Sequence, residues 1–296
     1  MRDDLELDPF FIVSSPRSGS TLLRLLLNSH SSIVVPPECS FITWLAPEFA
    51  DWAREDNSGI RLSKFLQSLN NARKFDTWGL AIDLVERRIS DRLPDTYASL
   101  CLCVIEAFCE ATNQRCSRWG DKNTNHIREI ELLQGVFPNA KFIWLTRDLR
   151  DVAVSSIEAS AVKTTSAYAP SLSQSPEVVG KAWRLENIAM LSRIESGQFE
   201  SRIRWIRYED LVRQTQQTLE YLFDFIGVSY EPVADRFWAE NRDLNTEPVE
   251  TIDWKLLTRE PVREDRVGRW SNVMSQEESR LLLDFADGLE QLIDDA

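Results

Sequence analysis

Long apolar runs are missing from this 296-residue chain: no window of about 18 apolar residues occurs, which excludes a membrane-spanning helix from the expected architecture. Positive charge is scarce, since 34 lysines and arginines face 47 aspartates and glutamates for a formal net charge of −13. Nucleic-acid binders carry a basic face, so nucleic acid is not an expected partner, and a heavily anionic polymer would need a local basic cleft that overrules the average. Histidine is nearly absent, with only His30 and His126. The five cysteines include no C-x-x-C pair, so neither a zinc site nor a disulfide framework is expected. Buried, reduced thiols in a cytoplasmic compartment fit that usage. The first eight residues, MRDDLELD, are acidic and run straight into an apolar segment, without the basic flank and longer apolar core of a signal peptide. Repeats and low-complexity segments are also absent.

What is present is an alternation of short apolar, β-rich runs with helical patterns. That alternation predicts an α/β fold with a parallel sheet covered by helices on both faces. Phe10–Ser14, Lys141–Thr146 and Arg202–Ile206 read as strands, each followed by polar residues that open a helix, and Ile33–Val35 is a fourth, ended by Pro36-Pro37. A long helical insert follows the second strand at about 40–115, with periodic segments near 60–71, 77–92 and 97–112 and a break at Pro94. It reads as a cap shaping an acceptor site. The length suits one domain over 1–296. Further helices are expected at 176–197, at 208–227 ending on Gly227, and from Ser275, where Glu278 completes a capping box. The polar tract Lys163–Ser175 is the candidate mobile loop or lid. Most of the ten tryptophans fall in apolar or helical contexts and are expected in the core.

The most informative segment is Phe10 to Leu27, FFIVSSPRSGSTLLRLLL, where a strand breaks into a small polar loop that opens directly into a helix. Gly19 permits a tight turn, so that N–H groups from Ser18 to Leu22 point at the centre of the loop, where the helix dipole adds to them. Such a cradle holds a phosphate or sulfate. It differs from G-x-x-x-x-G-K-[ST] in placing serines at the first glycine and in having Arg17 as its only cation. The second segment, KFIWLTRDLRDVAVSS at 141–156, ends a buried strand at Thr146 and sets Arg147 at its carboxyl end, with Asp148 as a helix cap and Ser155 about two turns in. Arg147 and Ser155 can grip a second phosphate. Alternatively, Arg147, Asp148, Arg150 and Asp151 form a solvated, salt-bridged helix start.

Taken together, SxPRSGSTLL and RDxRDVAVS resemble the sulfotransferases that use 3′-phosphoadenylyl sulfate (PAPS), as their 5′-phosphosulfate loop and 3′-phosphate motif. GDKNT at 120–124, IRYEDL at 206–211 and RVGRW at 266–270 agree in order with further family segments. The resemblance runs from about residue 10 to 272, leaves the helical insert uncovered, and implies a P-loop-type parallel sheet flanked by helices. It implies that Arg17, Ser18, Gly19, Ser20, Thr21 and Leu22 bind the 5′ end of the nucleotide. Arg147 and Ser155 would take the 3′-phosphate, and Tyr208 would lie near the adenine or else be a buried core tyrosine. Arg266, Val267, Gly268 and Arg269 would close over the 3′-phosphate or else be surface residues. Arg17 stands where cytosolic members have lysine, as in protein-tyrosine and many bacterial members.

The departure concerns the base. Lys122 keeps the lysine of the family's G/E-K-T segment, but Thr124 occupies the slot where cytosolic members place histidine. Glu38, 21 residues after Arg17 and just past Pro36-Pro37, matches the location of the catalytic glutamate in the tyrosine- and carbohydrate-directed branches. His126 is the alternative base, though it is expected to face outward, and a helix-start role is the alternative for Glu38. Its pKa depends on whether a helix N-terminus or burial prevails. Asp121 would orient Lys122 or cap the helix after it. The implied reaction is in-line transfer of a sulfuryl group from PAPS to a hydroxyl or amine, releasing adenosine 3′,5′-bisphosphate, with Glu38 as general base and Arg17 and Lys122 stabilising charge. No metal is required. The acceptor could be a small molecule, a glycolipid or a carrier-tethered acyl chain, received by Phe41, Trp44, Leu45, Phe49 and Trp52 unless these are core. A P-loop kinase-like phosphoryl transferase and a non-catalytic nucleotide-binding protein are the other readings. The first would need a magnesium-binding acid and a loop lysine.

Overall fold

The computed structural model describes residues 5–199 and 201–292. Five parallel strands form one sheet in the order β2-β3-β1-β4-β5: β1 Phe10–Val13, β2 Ile33–Val34, β3 Arg118–Lys122, β4 Lys141–Thr146 and β5 Ile203–Arg207. The central strand β1 is buried throughout, because helices cover both sheet faces and its alternate residues enter different cores. Phe11 and Val13 join Phe142 and Trp144 on one face; Phe10 and Ile12 join Ile143 and Leu145 on the other. Chain order reverses at β1, which lies between β3 and β4, and in such sheets that crevice at the carboxyl edge is where ligands bind.

Thirteen α-helices are found among the described residues. α1 (Ser20–Asn28) packs its leucines into the second core, with α9 (Tyr208–Arg213), α10 (Thr215–Ile226) and α11 (Phe237–Leu244). The first core takes α2 (Phe41–Phe49), α3 (Gly59–Asn70), α4 (Ile82–Arg92), α5 (Tyr97–Ala111) and α6 (Ile130–Val136), and also α7 (Leu149–Ser160), α8 (Pro176–Glu195) and α13 (Gln276–Phe285). The short α12 (Trp270–Val273) precedes α13. The insert helices therefore form one wall of the main core, rather than a cap held above it. Phe41, Leu45, Phe49 and Trp52 are buried there, which removes them as acceptor ligands, and Trp44 is exposed away from the cleft.

The expected elements hold with small shifts, while one strand and the short helices α11 and α12 go unannounced in the sequence. The helix expected over 208–227 is two, because Gln214 leaves helical geometry at φ −133°, ψ 47°; Gly227 ends the second in the left-handed conformation at φ 90°. Ser275 accepts from the Glu278 N–H while Glu278 accepts from that of Ser275, completing the capping box. The omitted strand is β3, RWGDK, whose single large apolar residue hides it from any hydrophobic pattern. It fits beside β1 because Gly120 has no side chain: a Cβ there would lie 2.4 Å from the Phe10 ring. Six of the ten tryptophans are buried, five of them in the first core, while the sixth, Trp254, lines the cleft described below.

Candidate active site

The carboxyl ends of β1, β3, β4 and β5 open into a cleft of about 610 Å³. On a chain of net charge −13, its lining includes Arg17, Lys74, Lys122, Arg147, Lys255 and Arg266. A local concentration of positive charge thus overrides the acidic average.

At the end of β1 the loop turns through two left-handed residues, Arg17 at φ 68° and Gly19 at φ 93°, before α1 begins. Among the described residues, no protein group accepts from the N–H groups of Gly19, Ser20, Thr21 or Leu22, and the first turn of α1 holds no acid. Ser18 departs from the expectation, as its N–H turns back to the Ser15 carbonyl at 3.4 Å. Its buried Oγ has no partner. Four free N–H groups, an orphaned hydroxyl and a helix dipole suit an oxyanion group.

The two sequence motifs meet here. The Arg17 Nε donates to Ser155 Oγ at 3.1 Å, and Arg147 Nη1 donates to the Arg17 carbonyl at 3.2 Å. Burial, with help from Arg147, pulls the Arg17 guanidinium down to about 10. The Arg147 guanidinium lies 4.2 Å from the Tyr208 ring centroid, and Gly19 packs against the same ring, since a Cβ there would fall 2.4 Å from Tyr208 Cδ2. Gly19→Ala would add that clash to an unfavourable φ. It is expected to destabilise the protein by about 1–3 kcal/mol, read as a lowered midpoint in urea unfolding, and an unchanged midpoint would contradict the packing.

Among the C-terminal residues, Arg266 and Arg269 line the cleft, whereas Val267 packs on the second core and Gly268 gives its N–H to Asp151 Oδ2 at 2.9 Å. Trp270 N–H takes the other Asp151 oxygen at 3.0 Å, so one carboxylate of α7 ties this loop down. Arg147 Nη2 adds a bond to the Arg266 carbonyl at 2.7 Å, and Arg269 pairs with Glu158.

Glu38 sits on the opposite wall, beyond Pro36-Pro37. Its Oε2 accepts from Lys122 Nζ at 2.8 Å and its Oε1 from Lys74 Nζ at 2.9 Å. Burial pushes the carboxyl up, but Lys122 and Lys74, with Lys255 behind them, outweigh it and hold the group well below the usual carboxylate range. Neither cause weighed from sequence decides the matter; two lysines do. Asp121 neither orients Lys122 nor caps a helix. It turns to the other side of β3 and bonds His126 Nε2 at 2.9 Å. His126 is fully buried, with its ring edge-on to Phe11 at 5.3 Å, and does not line the cleft, which removes both its expected outward position and its candidacy as base. Burial pulls the imidazole down, yet Asp121 holds it above its ordinary value.

Several lining residues escaped sequence reasoning. Lys74 lies in the helical insert, where no motif points to it. Lys255 is buried against Glu247, whose other oxygen takes Arg24 Nη2 at 2.7 Å, and burial draws the Lys255 ammonium down to about 8. The tract Lys163–Ser175 is irregular, and Tyr168, Pro170, Ser171 and Leu172 line the cleft. It is tethered where Tyr168 OH donates to Asp76 and Thr164 Oγ1 to Asp253, each at 2.6 Å.

An α/β sheet with an anion cradle at its switch point is a phosphate-binding architecture of the P-loop type. The chain belongs to the sulfotransferase family, which it matches over residues 9–232. It is 23% identical over 227 residues to protein-tyrosine sulfotransferase 2 of Gallus gallus, an alignment covering 76% of this chain and 52% of that protein. The chain spans about half to two-thirds of the length of several curated relatives that it matches. Its fold is similar to the sulfotransferase domain from the curacin biosynthetic pathway, with a TM-score of 0.60, 22% identity, and 97% of this chain and 98% of that one covered. A mouse sulfotransferase complexed with PAP shares the fold at a TM-score of 0.54 and 15% identity, covering 98% and 87% of the two chains. No helix among the described residues is long and apolar enough to cross a membrane.

Proposed function

We propose that this chain transfers the sulfuryl group of PAPS to a hydroxyl or amine of an acceptor, with Glu38 as general base. The observation that carries the reading is the bond between Arg17 of the first motif and Ser155 of the second, inside one cleft. One adenosine carrying phosphates at both ends would then be held by the cradle at 18–22 and by Arg147, Ser155, Arg266 and Arg269. The orphaned Ser18 Oγ and the unpartnered, buried Arg147 Nε and Arg266 Nε fit an anionic ligand rich in acceptor oxygens. Tyr208, packed against Gly19 and Arg147, would border the adenine, and the mouse relative in complex with PAP supports the same cosubstrate here.

PAPS supplies an activated sulfuryl group, whose bond to the phosphate oxygen breaks as the acceptor oxygen or nitrogen bonds to sulfur. Glu38 takes the acceptor's proton. Arg17 and Lys122 offset negative charge on the sulfuryl oxygens and the departing phosphate. Apolar Val162, Leu172, Leu256 and Leu257 line the same cleft and suit an acceptor with an apolar body, whether a small molecule, a glycolipid or a carrier-tethered chain. Five free, buried cysteines suit a reducing, cytoplasmic setting.

Calorimetry with adenosine 3′,5′-bisphosphate, AMP and ATP with magnesium tests the assignment. The bisphosphate is expected to bind more tightly than ATP; equal or tighter ATP binding would favour a phosphoryl transferase and defeat the proposal. Binding without turnover on any acceptor would favour a non-catalytic protein. Arg147→Ala is expected to weaken the bisphosphate by about 10- to 100-fold while sparing AMP, since a hydrogen bond to a charged group contributes about 1.5–3 kcal/mol. Equal weakening of both would assign Arg147 to structure alone.

A further inference from the structure

Glu38 is gripped by two lysines, and they reach it from different parts of the chain. Lys122 comes from the carboxyl end of β3, where the nucleotide is proposed to bind. Lys74 comes from the linker between α3 and α4, in the helical insert that no motif covers. Lys74 has a left-handed backbone at φ 71°, and its carbonyl accepts from Thr77 Oγ1 at 2.7 Å. Four residues on, Trp78 Nε1 donates to the Pro37 carbonyl at 2.9 Å, pinning this linker to the segment that carries Glu38. Trp78 is itself wedged among Phe41, Phe75 and Phe108. The linker is thus a braced support, and its one buried ammonium ends on Glu38 Oε1.

We propose that Lys74 is a positioning residue for Glu38: it holds Oε1 so that the carboxylate stays ionised and aimed into the cleft when Lys122 turns toward the nucleotide. This rests on the reading of Glu38 as the base. The charged groups that act on Glu38 from the surrounding elements are Lys122, Lys74 and Lys255, and Lys255 is already paired with Glu247. Asp76, on the same turn as Lys74, is taken by Tyr168. With Lys122 drawn off, Lys74 is the remaining direct cationic contact. Burial pushes this carboxyl up, so with Lys122 withdrawn the opposite charge of Lys74 at Oε1 is the direct contact that opposes burial and favours the ionised form.

The test is the titration of the Glu38 carboxyl by carbon-13 NMR on the full chain, free and saturated with adenosine 3′,5′-bisphosphate, with the resonance assigned by its loss in Glu38→Gln. Lys74→Met is expected to raise the midpoint by about one pH unit or more, most clearly in the nucleotide complex, and Lys74→Arg to restore it. Should Lys74→Met fail to fold, Lys74→Gln keeps a donor without the charge and is expected to give the same rise. An unmoved midpoint in Lys74→Met or Lys74→Gln, or a rise in Lys74→Arg equal to that of the neutral variants, overturns the proposal. The titration needs no turnover, so an inactive wild-type chain would count against Glu38 as base and leave this measurement readable.

Discussion

Glu38→Gln is expected to lower turnover by about 10²- to 10⁴-fold, the span of a general base, while leaving the affinity for adenosine 3′,5′-bisphosphate intact. Glutamine keeps the shape of the side chain and an oxygen for one lysine, but it cannot accept a proton. The geometry also fixes the pH dependence of the wild-type activity. The clamp of Lys122 and Lys74 depresses the Glu38 pKa, so the base is ionised above that lowered value and is lost only as pH falls through it. The acid limb of kcat/KM is therefore expected below the ordinary glutamate range. The same clamp makes Glu38 a weak base at rest, and withdrawal of Lys122 on nucleotide binding is expected to strengthen it. Near-normal turnover in Glu38→Gln would remove the residue from the chemistry. Single-turnover rates, with nucleotide binding measured separately, make that distinction.

Lys122→Met should cost about 10²- to 10³-fold in kcat, the usual loss when one preorganised donor to developing charge is deleted, equivalent to about 2.7–4 kcal/mol. Lys122 is nearly fully buried, and among the described residues its side chain pairs only with Glu38. Its ammonium is thus held ready for the reaction by the group it is proposed to work beside. Methionine fills similar space without the charge, so a fall in kcat with little change in bisphosphate affinity would place the interaction in the transition state. A raised KM with unchanged kcat would make Lys122 a binding residue instead.

Sequence exposes those parts of the molecule in which a local pattern and a chemical demand coincide. β1 and β4 combine apolar runs with polar turns at their ends, so both the strands and their loops can be read. Arg17 and Arg147 stand out as cations at strand-ending turns and Ser155 through the motif that Arg147 opens, and the structure sets Arg17 against both of the others. β3 stays hidden because Gly120 and Asp121 give it the composition of a turn. Its pairing rests on the Phe10 ring occupying the space a side chain would need, a tertiary fact. Lys74 is illegible for a similar reason: only folding brings it to Glu38, across 36 positions of chain. His126 misleads in the opposite sense. A histidine four residues past a lysine proposed to act in the chemistry invites a chemical role, yet its ring is spent on Asp121 inside the core. The aromatic residues of α2 mislead likewise, since an apolar stripe reads the same whether it meets a ligand or another helix.

The Phe10–Gly120 contact reaches further than packing. Neighbouring residues of a strand point to opposite sides, and on β3 those neighbours are an acid and a base: Asp121 faces His126 and Lys122 faces Glu38. Were β3 to slide by a single position along β1, the two would trade places, putting a carboxylate beside Glu38 and an ammonium in the hydrocarbon interior. The notch at Gly120 works as a keyway, and the polarity of the reaction centre is set by a hydrogen atom where any other residue would carry a carbon.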